Sequence, residues 1–332
     1  MSRRGRRRGR SPEVDLGLVG VLLVDKPSGR TSHDVVDHLR RLTGQRRLGH
    51  AGTLDPLATG LLPLLLGEAT KLSPWVTADD KEYEATALLG MRTDTLDAEG
   101  EPVDRTAVPP HLDRVAVERA LQQFRGTFEQ QVPRYSAVRV EGKRLHERAR
   151  AGEQVTTPTR RVTIHELRLT ALALPELTLR VACSKGTYIR QLVADLGDAL
   201  GCGAHVRSLR RLRVGRMRVE QAVALDTLTT AQLAEHLLTP RDYVAQAMPC
   251  AELTADGARR TRQGQVLPWT ALDCEPLPAD TIFALLQGPE LVAVAVADSN
   301  AADSAERTYH LARVFGPAPS SEPAPDEPAA EQ

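Results

Sequence analysis

Apolar positions along this chain come in short runs with two different periods, and the runs alternate. Residues 20–24 form an apolar run that reads as a strand. Thr31 or Ser32 then suits a helix N-cap, and Val35, Val36, Leu39 and Leu42 recur at helical spacing until Gly44, a residue that ends helices. Residues 61–66 are apolar throughout and read as buried. Tyr83, Ala85, Ala87 and Leu89 alternate and fall on one face of a strand. Residues 115–124 have helical spacing, while 161–169 and 177–183 read as strands. Residues 188–200 predict a helix with Leu192, Val193, Leu196 and Leu200 on its buried side. Strands and helices interleave without a regular βαβ period or a Gly-rich phosphate loop. That order predicts an α+β chain with a mixed sheet rather than a doubly wound fold. From about 250 the texture changes. A helix is expected over 253–263, closed by Gly264, and then short runs at 281–286, 291–297 and 309–315 suggest a small β-barrel.

At 332 residues the chain has room for two domains, or a large domain plus a small one. Its 41% hydrophobic and 26% charged residues are ordinary for a globular protein. Apolar runs stay well below the ~18 residues that span a bilayer. The basic N-terminus lacks the apolar segment of a secretory signal. The expected location is cytoplasmic, with no membrane association. Four scattered cysteines form no C-x-x-C pair, so reduced, structural thiols are expected. A net charge of +0 hides opposed tails. Arg3, Arg4, Arg6, Arg7, Arg8 and Arg10 crowd a basic arm over 1–13. Glu322, Asp326, Glu327 and Glu331 sit in a Pro/Ala-rich tail over 317–332. Both read as disordered, and the arm could add affinity for phosphates.

Candidate chemistry concentrates in Gly49-His50-Ala51-Gly52-Thr53-Leu54-Asp55-Pro56-Leu57-Ala58-Thr59-Gly60. Glycines and proline allow backbone shapes that bulky residues resist. Asp55 either caps a helix opened by Pro56 or is an ionisable group aimed by an unusual turn; spacing leaves both open. His50 is a candidate base beside it. No third orienting group or metal-ligand spacing accompanies the pair, so no triad or metal site is expected. The richest internal basic run is Arg207, Arg210, Arg211, Arg213, Arg216 and Arg218. Strand alternation would put part of it on one face, suited to phosphate contacts.

The same loop resembles the active-site motif of the TruB-type tRNA pseudouridine synthases. Further segments resemble that family in the same order: Leu23-Val24-Asp25-Lys26-Pro27-Ser28-Gly29-Arg30-Thr31-Ser32, Gly67-Glu68-Ala69-Thr70-Lys71-Leu72, Asp80-Lys81-Glu82-Tyr83, Cys183-Ser184-Lys185-Gly186-Thr187-Tyr188-Ile189-Arg190 and His205-Val206-Arg207-Ser208-Leu209-Arg210-Arg211. The resemblance implies a pseudouridine synthase fold over 14–249, built on a central mixed sheet, and a PUA-like RNA-binding domain over 250–316. It implies isomerisation of uridine 55 in the T loop of tRNA, after the base is flipped out of its stack. It makes Asp55 the catalytic carboxylate and Arg190 its ion-pair partner. Tyr83 becomes the stacking surface, Tyr188 an active-site tyrosine and Leu209 an apolar pocket residue. His50 is implied in holding the flipped nucleotide, and Lys26 and Pro27 in shaping the active-site floor. Arg207, Arg210 and Arg211 are expected on the RNA backbone.

Breaking N1–C1′ and joining C5 to C1′ transfers no outside group and involves no redox change, so neither metal nor cofactor is expected. The implied partner is the tRNA T stem-loop, without an obligate protein partner. The sequence departs from the family pattern at Val132-Pro133-Arg134-Tyr135-Ser136-Ala137, with Arg139 in a lysine position. Three rivals stand beside this reading: a family member modifying another RNA, a non-catalytic RNA-binding or RNA-folding protein on the same scaffold, and a metal hydrolase using His50 and Asp55.

Overall fold

Why the first strands are apolar without interruption is clear from their two neighbours. In the computed structural model, β1 (Gly20–Lys26) sends Leu22 and Val24 into one core and Val21 and Leu23 into another. A strand covered on both faces needs no polar alternation. The structure describes residues 15–140, 142–151, 153, 156–298 and 308–316; the basic arm and the acidic tail lie outside them. Helix α1 (Ser32–Thr43) follows, and Thr31 is its cap. The Thr31 hydroxyl accepts the Asp34 amide at 3.0 Å while the Asp34 carboxylate accepts the Thr31 amide at 2.8 Å. Gly44 closes the helix in the left-handed region, at φ 74°. A short β2 (Leu48–His50) pairs with β3 (Thr59–Leu66), and the loop between them carries Asp55. In β3, Leu62, Leu64 and Leu66 enter the first core and Leu61 and Leu65 the second.

Next come β4 (Lys81–Leu89), α2 (Arg114–Leu121), β5 (Gly126–Gln131), β6 (Thr159–Ala173), β7 (Glu176–Cys183), α3 (Ile189–Ala199), β8 (Ala204–Val214) and β9 (Val223–Ala224). The helix expected over 115–124 is α2 followed by a 3-10 turn at Gln122–Phe124. Among the described residues, eleven strands make one sheet with the main order β9-β1-β3-β8-β4-β7-β6-β5. The β9–β1 and β3–β8 pairs are parallel and the others along this path antiparallel, so the sheet is mixed as expected. Val35, Val36 and Leu39 of α1 and Leu192, Val193 and Leu196 of α3 pack into the first core.

Beyond α4 (Pro240–Ala247) the chain forms β10 (Cys250–Glu252), α5 (Ala255–Arg262), β11 (Ile282–Gln287), β12 (Glu290–Ala297) and β13 (Tyr309–Val314). Among the described residues these strands form an open sheet in the order β10-β11-β12-β13, not a closed barrel. One face gives Ala284, Leu286 and Val294 to the second core, against Val21, Leu61 and Leu65 of the main sheet. The other packs Phe283, Leu285 and Ala293 with Trp269 and Tyr309. Among the described residues no helix is long and apolar enough to cross a membrane.

Candidate active site

A cleft of about 630 Å³ opens where the β2–β3 loop, β4, β8 and the start of α3 converge. Asp55, Tyr83, Tyr188, Arg190 and Leu209 all line it, although they are far apart in sequence. Asp55 enters from the loop. Its backbone carbonyl accepts the Ala58 amide at 3.1 Å, so the residues after Pro56 form a tight turn rather than the helix that a capping role would need. The freed carboxylate faces Arg190 on the first turn of α3. Arg190 Nε donates to Asp55 Oδ2 at 2.9 Å and Nη2 to Oδ1 at 3.2 Å. This two-pronged contact fixes carboxylate orientation as a single bond cannot. The Arg190 side chain is 7% exposed and that of Asp55 36%, so the acid, not the base, is presented to the cleft.

Arg190 is itself held from behind. Its Nη1 donates to the Thr95 carbonyl at 2.6 Å and lies 3.6 Å from Asp97 Oδ2, and Nη2 also donates to the Tyr135 carbonyl at 3.0 Å. Asp97 is buried, and its Oδ1 accepts the Thr95 hydroxyl at 2.6 Å and the Glu99 amide at 3.1 Å. Sequence reasoning missed Asp97; it sits in a polar turn that resembles many surface turns.

Tyr83 presents a buried ring from β4, and burial pushes its hydroxyl above the ordinary tyrosine range. Tyr188, just before α3, is held by the buried Gln130 side chain. That amide accepts the Tyr188 N–H at 2.8 Å and donates to the Tyr188 carbonyl at 3.0 Å. The Arg160 guanidinium lies over its ring, 5.4 Å from the centroid. Leu209 contributes an apolar wall from β8, 7% exposed. Lys81, from the Asp80-Lys81-Glu82-Tyr83 segment, also lines the cleft. Its ammonium donates to the Thr77 carbonyl at 2.6 Å and to the Asp79 carbonyl. Burial, then the charge of Arg211, lowers its pKa to about 8.

Lys26, Pro27 and His50 do not line this cleft. Lys26 is fully buried, and its ammonium donates to the carbonyls of Pro27 (2.8 Å), Arg30 (2.6 Å) and Pro56 (3.1 Å). It therefore supports the Asp55 loop from behind. Burial pushes the His50 imidazole toward its neutral form, and the charge of Arg211 adds to this. Its Nδ1 is buried with no hydrogen-bond partner among the described residues.

The arginines expected on the RNA backbone all have partners within the chain. Arg207 is exposed but ion-paired with Glu176, and Arg210 grips Asp25 through both nitrogens at 3.0 and 2.7 Å. Arg211 is 1% exposed and lies in the wall of the cleft beside Leu209 rather than on the outer surface. No set of three or more His, Cys, Asp or Glu side chains converges as metal ligands among the described residues.

A mixed sheet crossed by such a cleft is the pseudouridine synthase fold. A solved Cbf5–Nop10–Gar1 complex contains a chain that superposes with a TM-score of 0.71 at 23% identity, covering 91% of this chain and 86% of that one. A chain of an H/ACA RNP bound to a substrate RNA containing 2′-deoxyuridine gives 0.69 at 22% identity, with the same coverage. The sequence narrows the class. Residues 40–189 match the model of the TruB family pseudouridylate synthase N-terminal domain, and 190–246 that of the tRNA pseudouridylate synthase B C-terminal domain. The tRNA pseudouridine synthase B of Burkholderia lata is 50% identical over 258 residues, 77% of this chain and 80% of that protein. That of Cupriavidus pinatubonensis is 45% identical over 285 residues, 83% of this chain and 90% of that protein. The chain belongs to the TruB family of pseudouridylate synthases.

Proposed function

We infer that this chain isomerises uridine to pseudouridine in tRNA, at position 55 of the T loop, with Asp55 as the catalytic carboxylate. The observation that carries this is the two-pronged Asp55–Arg190 pair on the floor of a cleft walled by Tyr83, Tyr188 and Leu209. In the reaction the N1–C1′ bond breaks, the uracil turns, and C5 bonds to C1′. C5 then loses its hydrogen as a proton and N1 gains one, so the product is an isomer. A carboxylate promotes the first step by attacking sugar or base, by taking a sugar proton, or by stabilising positive charge at C1′. Each role needs an oriented, accessible acid, and Arg190 grips Asp55 while leaving it open to the cleft. The target base has to leave its stack to reach that depth. Tyr83 offers the ring on which it would stack, a contact worth roughly 1–3 kcal/mol per base.

In this reading residues 14–249 form the catalytic domain, and 250–316 form a PUA-like RNA-binding domain seated on it. The enzyme works on the T stem-loop in the cytoplasm without a metal or an obligate protein partner. A T stem-loop RNA tritiated at uridine C5 should release its label with the purified chain in the presence of a chelator. Asp55→Asn should abolish release while RNA binding persists. Undiminished release by the variant would remove Asp55 from the mechanism.

A further inference from the structure

Arg211 lies where β8 meets β3, β4 and the loop that carries Asp55. On β8 it stands opposite Gly60 of β3 on one side and Tyr83 of β4 on the other. Its Nε donates to the Leu61 carbonyl at 2.7 Å and its Nη2 to the Gly52 carbonyl at 2.9 Å, while Nη1 reaches the Thr53 carbonyl at 3.5 Å. One guanidinium thus ties β3 to the loop two and three residues before Asp55. Lysine has no planar fork to span both segments in fixed geometry. The close fit depends on Gly60, which has φ +97°; a Cβ there would lie 2.3 Å from the Arg211 carbonyl oxygen. Gly52 is likewise left-handed, at φ +90°, and a Cβ on it would meet Arg211 Nη1 at 3.4 Å. Such a cation, buried among backbone carbonyls, is costly unless those bonds matter.

We propose that Arg211 is a positioning residue: it sets the backbone of the Asp55 loop against the sheet, as Arg190 sets the carboxylate. The proposal rests on Asp55 being the catalytic group. Two guanidiniums from different elements, α3 and β8, then fix one carboxylate through its head and its backbone. Displacing a reacting group by about 1 Å costs on the order of 10²-fold in rate.

The test compares Arg211→Lys and Gly52→Ala with wild type. It measures kcat for tritium release, the Kd and its salt dependence for a T stem-loop RNA, and amide exchange along the free chain. Gly52 lies on a part-exposed loop, so its variant keeps the core that Arg211→Lys touches. The expected result for both is a kcat lower by roughly 10- to 100-fold, a Kd within about twofold of wild type with unchanged salt slope, and faster exchange confined to residues 51–55. Three results would overturn the proposal: wild-type kcat in both variants, a weaker Kd with a shallower salt slope in Arg211→Lys (a phosphate contact), or faster exchange throughout the sheet. No release by wild type would remove the underlying function instead, and so separates that failure from the failure of Arg211 alone.

Discussion

Asp55 and Arg190 are 135 positions apart, yet they meet at 2.9 Å. Lys26 shows how such a meeting is supported from beneath. Its ammonium is fully buried on three carbonyls, one of them that of Pro56, the residue after Asp55. Burial lowers its pKa from 10.5 to about 8. Between those values the unfolded chain binds more protons than the folded one. The contribution of Lys26 to stability is therefore lowest below about pH 8 and rises as pH climbs toward 10.5. Urea unfolding of wild type and Lys26→Met checks this. The free-energy difference, wild type minus variant, should grow between about pH 7.5 and about pH 10; a flat or falling difference would contradict it. At this scale the sequence was legible where residue types were unusual for their surroundings, as with an aspartate among glycines or tyrosines in polar segments. It misled for Arg211, which looked like one member of a basic surface run. Alternation held the clue: Arg211 is two residues from Leu209 and shares its face, so it points where that pocket residue points.

Among the elements, β1 and β3 were readable because an uninterrupted apolar run has to be covered on both sides, and α1 because its cap and stop are both local. The Thr31–Asp34 capping box satisfies amides that no helix turn can. Thr31→Ala should cost about 1 kcal/mol of stability. The loss should appear as a lower urea midpoint with an unchanged slope; an unchanged midpoint would show that the box contributes nothing. The 3-10 turn after α2 and the open C-terminal sheet were not readable. Both depend on which partner covers the segment, and that partner is distant in sequence. β11 is the clear case: Phe283 and Leu285 face one core while Ala284 and Leu286 face another. The run itself says only that both faces are covered.

Across the whole molecule, the C-terminal sheet shares a core with the main sheet and is not tethered at a distance. Phe315 at its end joins Val21, Leu61 and Leu65 in that core, and the Lys71 ammonium donates to the Val314 carbonyl at 2.8 Å while lying over the Phe315 ring. Glu68 adds contacts to Arg47, Lys71 and the Gly316 amide. The Gly67–Leu72 segment, legible as a motif but not in purpose, is thus the main-sheet side of this junction. Net charge was uninformative because it sums opposed tails, and many internal arginines are neutralised locally, as Arg207 is by Glu176 and Arg213 by Glu82. The most direct measurement is to incubate the purified chain with an unmodified full-length tRNA transcript and map every pseudouridine by chemical derivatisation and primer extension. A single pseudouridine is expected, at position 55 of the T loop, absent with Asp55→Asn; no modification, or modification only elsewhere in the tRNA, would overturn the assignment of Asp55 and of the substrate.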